Sequence, residues 1–112
     1  MKKFINSTDD FLKESLQGLG AAHKDIVTCN YDPNFIIRSK TTKEAKVALI
    51  TGGGSGHEPM HGGFVGYGML DAACPGFIFS SPSPDQMIAA IEKVDSGAGA
   101  VSYTHLTLPT TR

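Results

Sequence analysis

Residues 46–61 of the chain read KVALITGGGSGHEPMH. The first six residues contain the continuous apolar run Val47–Ile50, which is typical of a strand that is buried on both faces of an α/β sheet. Glycines follow at Gly52–Gly54 and at Gly56, and a residue without a Cβ lets backbone N–H groups approach a bound molecule closely. The stretch ends on two histidines, whose imidazoles can exchange protons near neutral pH. The pattern therefore predicts a strand that opens into a loop for a small polar ligand.

The sequence on either side of this stretch predicts further elements of an α/β fold. Ser7–Asp10 offers helix N-caps, and apolar residues follow at three- and four-residue spacing, so we expect a helix of about three turns. Phe35–Ile37 follows a turn and predicts a short strand, and another strand is expected near Leu70–Cys74. Ser83–Gln86 combines an N-cap, a proline at the first helical position and a glutamine three residues after the cap, which predicts a second helix.

Composition limits the possible partners. The chain has 112 residues, of which 40% are hydrophobic and 19% charged, with a net charge of −1. Such a balance gives no electrostatic footprint for nucleic acid or anionic membranes, and no window approaches the roughly 20 apolar residues of a membrane span. We therefore expect a cytoplasmic protein without nucleic-acid or membrane partners. Cys29 and Cys74 lack C-x-x-C spacing and are expected to be reduced small hydrophobes.

The glycine stretch resembles three nucleotide or esterase motifs but departs from each. A P-loop needs G-x-x-x-x-G-K-[ST], and no lysine occurs between residues 47 and 92. A dinucleotide-binding G-x-G-x-x-G fails because the two possible registers end on His57 and Pro59. A nucleophile elbow G-x-S-x-G around Ser55 also ends on His57 instead of glycine. Neither nucleotide binding nor esterase chemistry is therefore predicted for this loop.

A fourth motif is complete as a string, because residues 57–61 satisfy H-E-x-x-H. In zinc hydrolases that motif needs a continuous helix through both histidines. Here Pro59 interrupts the stretch and glycines lie on both sides of it, so a metal site is not expected. His57 lies beside glycines at a strand end, where open α/β sheets bind ligands. His61 is expected either to support His57 or to occupy a turn.

The last residues differ from the rest in character. Residues 101–112 are rich in threonine and contain no acidic residue. They do not suggest a further element of an α/β domain, and the string resembles a translation product of sequencing-adapter DNA. We therefore predict a non-native or divergent tail at 101–112 that follows a domain spanning residues 1–100.

Several ordered motifs together resemble one family. Residues 46–70 (KVALITGGGSGHEPMHGGFVGYGML), 73–76 (ACPG) and 79–85 (FSSPSPD) closely resemble the dihydroxyacetone (glycerone) kinase family. The resemblance is to its substrate-binding K subunit or domain, and it covers about residues 1–100. It implies an α/β fold, namely the N-terminal part of a mixed sheet flanked by helices, incomplete relative to the full family domain.

The resemblance also implies that the substrate and the nucleotide are bound by different subunits or domains. Members of this family phosphorylate dihydroxyacetone on a hydroxyl, and the K part holds the ketose. ATP or ADP with Mg²⁺ is held by a separate L subunit or by a fused C-terminal domain, so this chain is expected to bind no cofactor and no metal. A homodimer is expected at full length. By resemblance Gly54, Ser55, Gly56 and His57 bind the substrate, and His57 is also the catalytic residue that assists proton transfer.

Other groups of the family's site have no counterpart in this sequence. The family carries a substrate-binding lysine and a catalytic aspartate after the helix, and a downstream histidine that bonds covalently to the ketose, whereas residues 101–112 contain neither Lys nor Asp. Because phosphoryl transfer depends on positioning and charge stabilisation, this chain alone is expected to be inactive. A non-catalytic ketose-binding regulatory paralogue remains an alternative, and an HExxH zinc hydrolase is a more remote one.

Overall fold

A computed structural model of the chain describes residues 3–40, 45–52, 61–77 and 80–103. Within these residues the chain forms two helices and five strands, with a short 3-10 helix at Gly62–Phe64. In chain order the elements are α1 (Phe11–Ala22), β1 (Val27–Tyr31), β2 (Asn34–Arg38), β3 (Ala48–Thr51), β4 (Ala72–Ala73), α2 (Pro84–Val94) and β5 (Ala100–Tyr103).

The five strands form one mixed sheet in the order β1-β2-β4-β3-β5. β1 and β2 are an antiparallel hairpin, and β2 also pairs antiparallel with β4. β3 lies between β4 and β5 and is parallel to both. The carboxyl ends of these three parallel strands therefore meet at one edge of the sheet. The expectation of a mixed sheet flanked by helices is confirmed.

Each face of the sheet carries an apolar cluster beneath one helix. The cluster on the α1 face joins α1 to β1, β2 and β4 and contains Leu12, Leu16, Val27, Ile36, Val65 and Ala73. The cluster on the α2 face contains Phe35, Ile50, Ala72, Cys74 and Ala90. Burial of these side chains from water on both faces is the main favourable contribution to folding.

α2 begins where the sequence predicts it. The Ser83 hydroxyl accepts a hydrogen bond from the Gln86 backbone N–H, and the Gln86 side chain accepts one from the Ser83 N–H, forming a capping box. The Gln86 Nε2 also donates to the backbone carbonyls of Asn34 and Pro75, each at 2.8 Å. The cap therefore links the start of α2 to the start of β2 and to the segment after β4.

The structure corrects two expectations about strands. Val101–Tyr103 were expected to lie outside the α/β domain, but they belong to β5 and pair in parallel with β3. The strand forms because pairing with β3 outweighs the weak local pattern; residues 104–112 lie outside the described part of the chain. β3 was expected to be buried on both faces, but Leu49 is 38% exposed. Leu49 pairs with Val101 on the α1 face, where no described helix covers them.

A buried ion cluster fixes the amino end of β3. Asp71 accepts hydrogen bonds from Arg38 at 2.9 Å and from the Lys46 Nζ at 2.6 Å, and the Leu49 N–H donates to it at 2.8 Å. Arg38 and Asp71 are both buried, whereas Lys46 is partly exposed. The cluster connects β2, the residue before β4 and the residues that lead into β3. It lies at the opposite end of β3 from the glycine stretch.

Burial of the Asp71 carboxyl acts to raise its pKa. The hydrogen bonds from Lys46 and from the Leu49 N–H, together with the charges of Lys46 and Arg38, outweigh burial, so the pKa of Asp71 lies below its usual value. Asp71 is therefore ionised at neutral pH and pairs with two cations.

Among the described residues, no helix has both the length and the apolar character that crossing a membrane requires.

Candidate functional site

The predicted site residues Gly54, Ser55, Gly56 and His57 lie outside the described residues. The structure does describe both ends of the segment that contains them. Gly52 follows Thr51 at the carboxyl end of β3, and His61 precedes the 3-10 helix. The strand therefore delivers the glycine stretch to the carboxyl edge of the three parallel strands. Ligands of open α/β sheets bind at such an edge.

Thr51 and His61 are joined across the ends of this segment. The Thr51 side chain is 1% exposed, and its Oγ1 lies 3.3 Å from the His61 Nδ1. The His61 Nε2 is buried and has no hydrogen-bond partner among the residues that the structure describes. From the sequence, His61 was expected either to support His57 or to occupy a turn. The geometry gives its imidazole a defined partner in Thr51, which sequence reasoning missed.

Tyr103 extends the same edge. It ends β5 and lies directly opposite Thr51 in the register of the parallel pair, while Ala73 of β4 is opposite Thr51 on the other side. Tyr103 is half-buried. The Thr51 hydroxyl and the Tyr103 phenol therefore lie on neighbouring strand ends, and the His61 imidazole is held against Thr51. Side chains of these three types can each donate and accept hydrogen bonds.

Close packing holds Gly52 at this edge. A Cβ at Gly52 would overlap the Met87 Sδ and would lie 3.1 Å from the Pro82 Cγ. The first turn of α2 and the residues before it therefore pack directly on the end of β3. This contact explains why a glycine, and not a larger residue, follows the strand.

The segment before α2 also packs closely against Gly76. A Cβ there would lie 2.7 Å from the Ser80 carbonyl oxygen and 2.8 Å from both the carbonyl carbon and the carbonyl oxygen of Ser81. Backbone atoms cannot move aside as side chains do. Gly76 therefore permits the tight connection that brings α2 back against β3 and β4.

Of the H-E-x-x-H string, the structure describes only His61, and residues 57–60 lie outside the described part of the chain. His61 precedes a 3-10 helix of three residues. In the described part of the chain, no three His, Cys, Asp or Glu side chains come together in a way that could hold a metal ion.

The two cysteines are free, as the sequence predicts. Cys74 packs in the cluster on the α2 face, and burial raises the pKa of its thiol to about 12. Burial also raises the pKa of the Cys29 thiol. Both are therefore protonated at neutral pH and poor nucleophiles, because the thiolate is the reactive form.

A groove lies beside α2 and the β1–β2 hairpin. It has a volume of about 430 Å³, and it is lined by Asn30, Asp32, Pro33, Phe35, Ala89, Glu92 and Lys93. Thr51, Gly52 and His61 do not line it. The groove is therefore separate from the edge at which the glycine stretch begins and ends.

An α/β sheet whose parallel strands end at a glycine- and histidine-rich segment is typical of enzymes that hold a small polar ligand at the sheet edge. The Dak1 domain family model matches residues 17–105. The chain therefore belongs to the Dak1 domain family, which confirms the family resemblance of its motifs.

Individual relatives agree with this assignment. The chain is 50% identical over 101 residues to the dihydroxyacetone-binding subunit DhaK of the PEP-dependent dihydroxyacetone kinase of Escherichia coli, covering 90% of this chain and 28% of the relative. It is also 50% identical over 101 residues to the corresponding subunit of the PTS-dependent kinase of Lactococcus lactis, covering 89% and 30%.

A solved structure shares the fold. The dihydroxyacetone kinase from C. freundii, in complex with AMP-PNP and Mg²⁺, aligns with a TM-score of 0.80 and 35% identity over 90% of this chain and 19% of that chain. The chain spans less than a third of the length of these relatives. The dihydroxyacetone-binding subunits match at 50% identity, whereas the DhaKLM operon coactivator DhaQ of Lactococcus lactis matches at 42% over 98 residues. The regulatory paralogue is therefore not favoured, and neither is the zinc hydrolase.

Proposed function

We propose that this chain forms the ketose-holding part of a dihydroxyacetone kinase. The observation that carries the proposal is the position of the glycine–histidine segment. It starts and ends at the carboxyl edge of β3, in a chain that is 50% identical to dihydroxyacetone-binding subunits. Dihydroxyacetone has one carbonyl and two hydroxyl oxygens, which suit the backbone amides of glycines and the ring of a histidine.

The roles of individual residues follow from the family resemblance. Gly54, Ser55 and Gly56 are proposed to hold the ketose through backbone and hydroxyl hydrogen bonds. His57 is proposed to hydrogen-bond a hydroxyl of the ketose and to accept its proton as the phosphoryl group is transferred. An imidazole suits this role because its unperturbed pKa lies close to neutral pH.

The phosphoryl donor belongs to another part of the assembly in this proposal. ATP or ADP with Mg²⁺ would be held by a nucleotide-binding L subunit or by a fused C-terminal domain in the cytoplasm, and the full-length subunit would form a homodimer. The glycine stretch departs from both nucleotide-binding motifs, which supports leaving the nucleotide to a partner.

Binding is the direct test, because this chain spans less than a third of its relatives. We expect saturable binding of dihydroxyacetone with a dissociation constant of about a millimolar, as suits a ligand with few atoms. His57→Ala should weaken binding by about tenfold, because an important hydrogen bond is lost. Calorimetric or NMR titration measures both values.

The matched control is His23→Ala, since His23 is an exposed histidine at the carboxyl end of α1. This variant should bind dihydroxyacetone as the unmodified chain does. Glycerol, which lacks the carbonyl, should bind more weakly than dihydroxyacetone. An unmodified chain that is folded but shows no saturable binding would contradict the proposal, as would equal affinity of the His57→Ala variant.

A further inference from the structure

One polar atom at the carboxyl edge of β3 has no partner within the described residues. It is the Nε2 of His61, which is buried from solvent. Buried polar atoms in native proteins almost always have a hydrogen-bond partner, and leaving one unpaired is unfavourable. The His61 Nε2 therefore lacks a partner of the kind that a ligand oxygen at this edge of the sheet would supply.

The imidazole ring is already held at its other nitrogen. The His61 Nδ1 lies 3.3 Å from the Oγ1 of Thr51, a side chain that is 1% exposed. When the Thr51 hydroxyl donates to Nδ1, the ring proton resides on Nε2, and Nε2 becomes a hydrogen-bond donor. Thr51 therefore holds the ring, and a proton on Nε2 requires that the Thr51 hydroxyl donates to Nδ1.

The backbone next to His61 is held as well. A Cβ at Gly62 would lie 2.7 Å from the Ile36 Cδ1, so the chain packs directly against a core residue of β2. Val65, three residues further, belongs to the same apolar cluster. His61 is thus attached to the rigid sheet through its side chain and through the residues that follow it. Rigid attachment is what a binding group needs in order to hold its geometry.

We propose that His61 is a second ligand-binding imidazole of this site, with its Nε2–H donating a hydrogen bond to an oxygen of the bound ketose. Thr51 acts as the positioning residue that holds the ring. This inference rests on the proposed ketose-binding function and adds a residue to it. The ligand class is a short polyhydroxylated carbonyl compound, whose carbonyl and hydroxyl oxygens accept hydrogen bonds.

Two pairs of substitutions on the full 112-residue chain separate the roles of the two ring nitrogens. His61→Asn places an amide near the Nδ1 position but nothing at Nε2, and should weaken dihydroxyacetone binding by about three- to tenfold. His61→Gln can place an amide nitrogen near Nε2 and should keep most of the affinity. Thr51→Val should weaken dihydroxyacetone binding. Thr51→Ser, which keeps the hydroxyl, should bind dihydroxyacetone as the unmodified chain does.

A spectroscopic measurement on the unmodified chain completes the test. The imidazole nitrogen resonances of His61 should report a proton on Nε2, and the Nε2 resonance should move as dihydroxyacetone saturates the site. An effect of His61 that is purely structural would leave that resonance unchanged. This readout needs no variant, so it decides the matter even if a substitution prevents folding.

The outcomes are distinguishable. If the unmodified chain binds no dihydroxyacetone, the proposed function fails and this inference fails with it. If the chain binds dihydroxyacetone but the folded His61→Asn variant binds equally well, or the Nε2 resonance does not respond, only the assignment of His61 is overturned.

Discussion

Replacing Asp71 with asparagine is expected to lower the free energy of unfolding by about 3–5 kcal/mol. The carboxylate accepts hydrogen bonds from Arg38, Lys46 and the Leu49 N–H, and Arg38 is itself 6% exposed. Removing the anion leaves the guanidinium buried without its counter-charge. Because small domains are stable by only about 5–15 kcal/mol, the loss is a large part of the total. Urea unfolding of the two proteins at neutral pH measures it.

The difference between the two proteins should depend on pH in a defined direction. The pKa of Asp71 is lowered in the folded state from its usual 3.8. The carboxylate therefore contributes its full stabilisation above that usual value and loses it as the pH falls through the lower, folded value. The unfolding free energies of the native chain and the Asp71→Asn variant should approach each other as the pH falls through the lowered, folded pKa of Asp71.

A double replacement is the control for this prediction. Arg38→Met combined with Asp71→Leu removes both buried charges and fills the space with apolar groups, so it should recover part of the stability lost in Asp71→Asn. Lys46 is partly exposed and can return to water. An Asp71→Asn variant with native stability at neutral pH would show that the cluster does not hold the strands together.

Replacing Gly76 with alanine is expected to cost about 2–3 kcal/mol of unfolding free energy. The added Cβ would lie 2.7–2.8 Å from backbone atoms of Ser80 and Ser81. To relieve the overlap, the segment before α2 must move away from the end of β4. The same movement should loosen the packing of Met87 against Gly52. Thermal or urea unfolding monitored by circular dichroism tests the prediction.

Gly18 provides the matched control. It lies within α1, and a Cβ there meets nothing within 4 Å. Gly18→Ala should therefore stabilise the chain by about 0.5–1 kcal/mol, because alanine favours the helix interior. If the two alanine variants change stability to the same extent and in the same direction, the tight backbone contact at Gly76 is not what constrains that position.

Local signals in the sequence account for the helices. The residues of the capping box, Ser83 and Gln86, are three apart and satisfy each other, so the start of α2 is encoded within a few residues. α1 begins after the predicted caps but continues through Gly18 and Gly20 to Ala22, although Asp10 makes no side-chain cap. Burial of its apolar face in the cluster on the α1 face outweighs the weak propensity of the glycines.

The parts of the fold that the sequence did not predict depend on contacts between residues that are far apart in the chain. β1 has no strong alternating pattern, and its strand depends on pairing with β2, for example Cys29 with Ile36. β5 likewise depends on β3. Arg38 and Asp71 are remote from each other in the sequence, so no local pattern could have indicated their ion pair. Strand pairing and ion pairing both require the folded chain.

The sequence likewise predicted one part of the candidate site and not the other. The glycine–histidine segment and its strand could be read directly from residues 46–61, and the family assignment followed from its ordered motifs. The link between Thr51 and His61 could not be read, because a threonine at a strand end has many possible partners. The roles of Gly54, Ser55, Gly56 and His57 remain predictions, since these residues lie outside the described part of the chain.

The most direct test of the account is a map of the backbone amide resonances that respond to dihydroxyacetone. The ketose-binding proposal predicts shifts at Thr51, Gly52, His61 and Tyr103, which lie at the carboxyl edge of the parallel strands. Arg38 and Asp71, near the amino end of β3, should show none. Shifts confined to the groove beside α2, at Asn30, Asp32 and Glu92, would contradict the account.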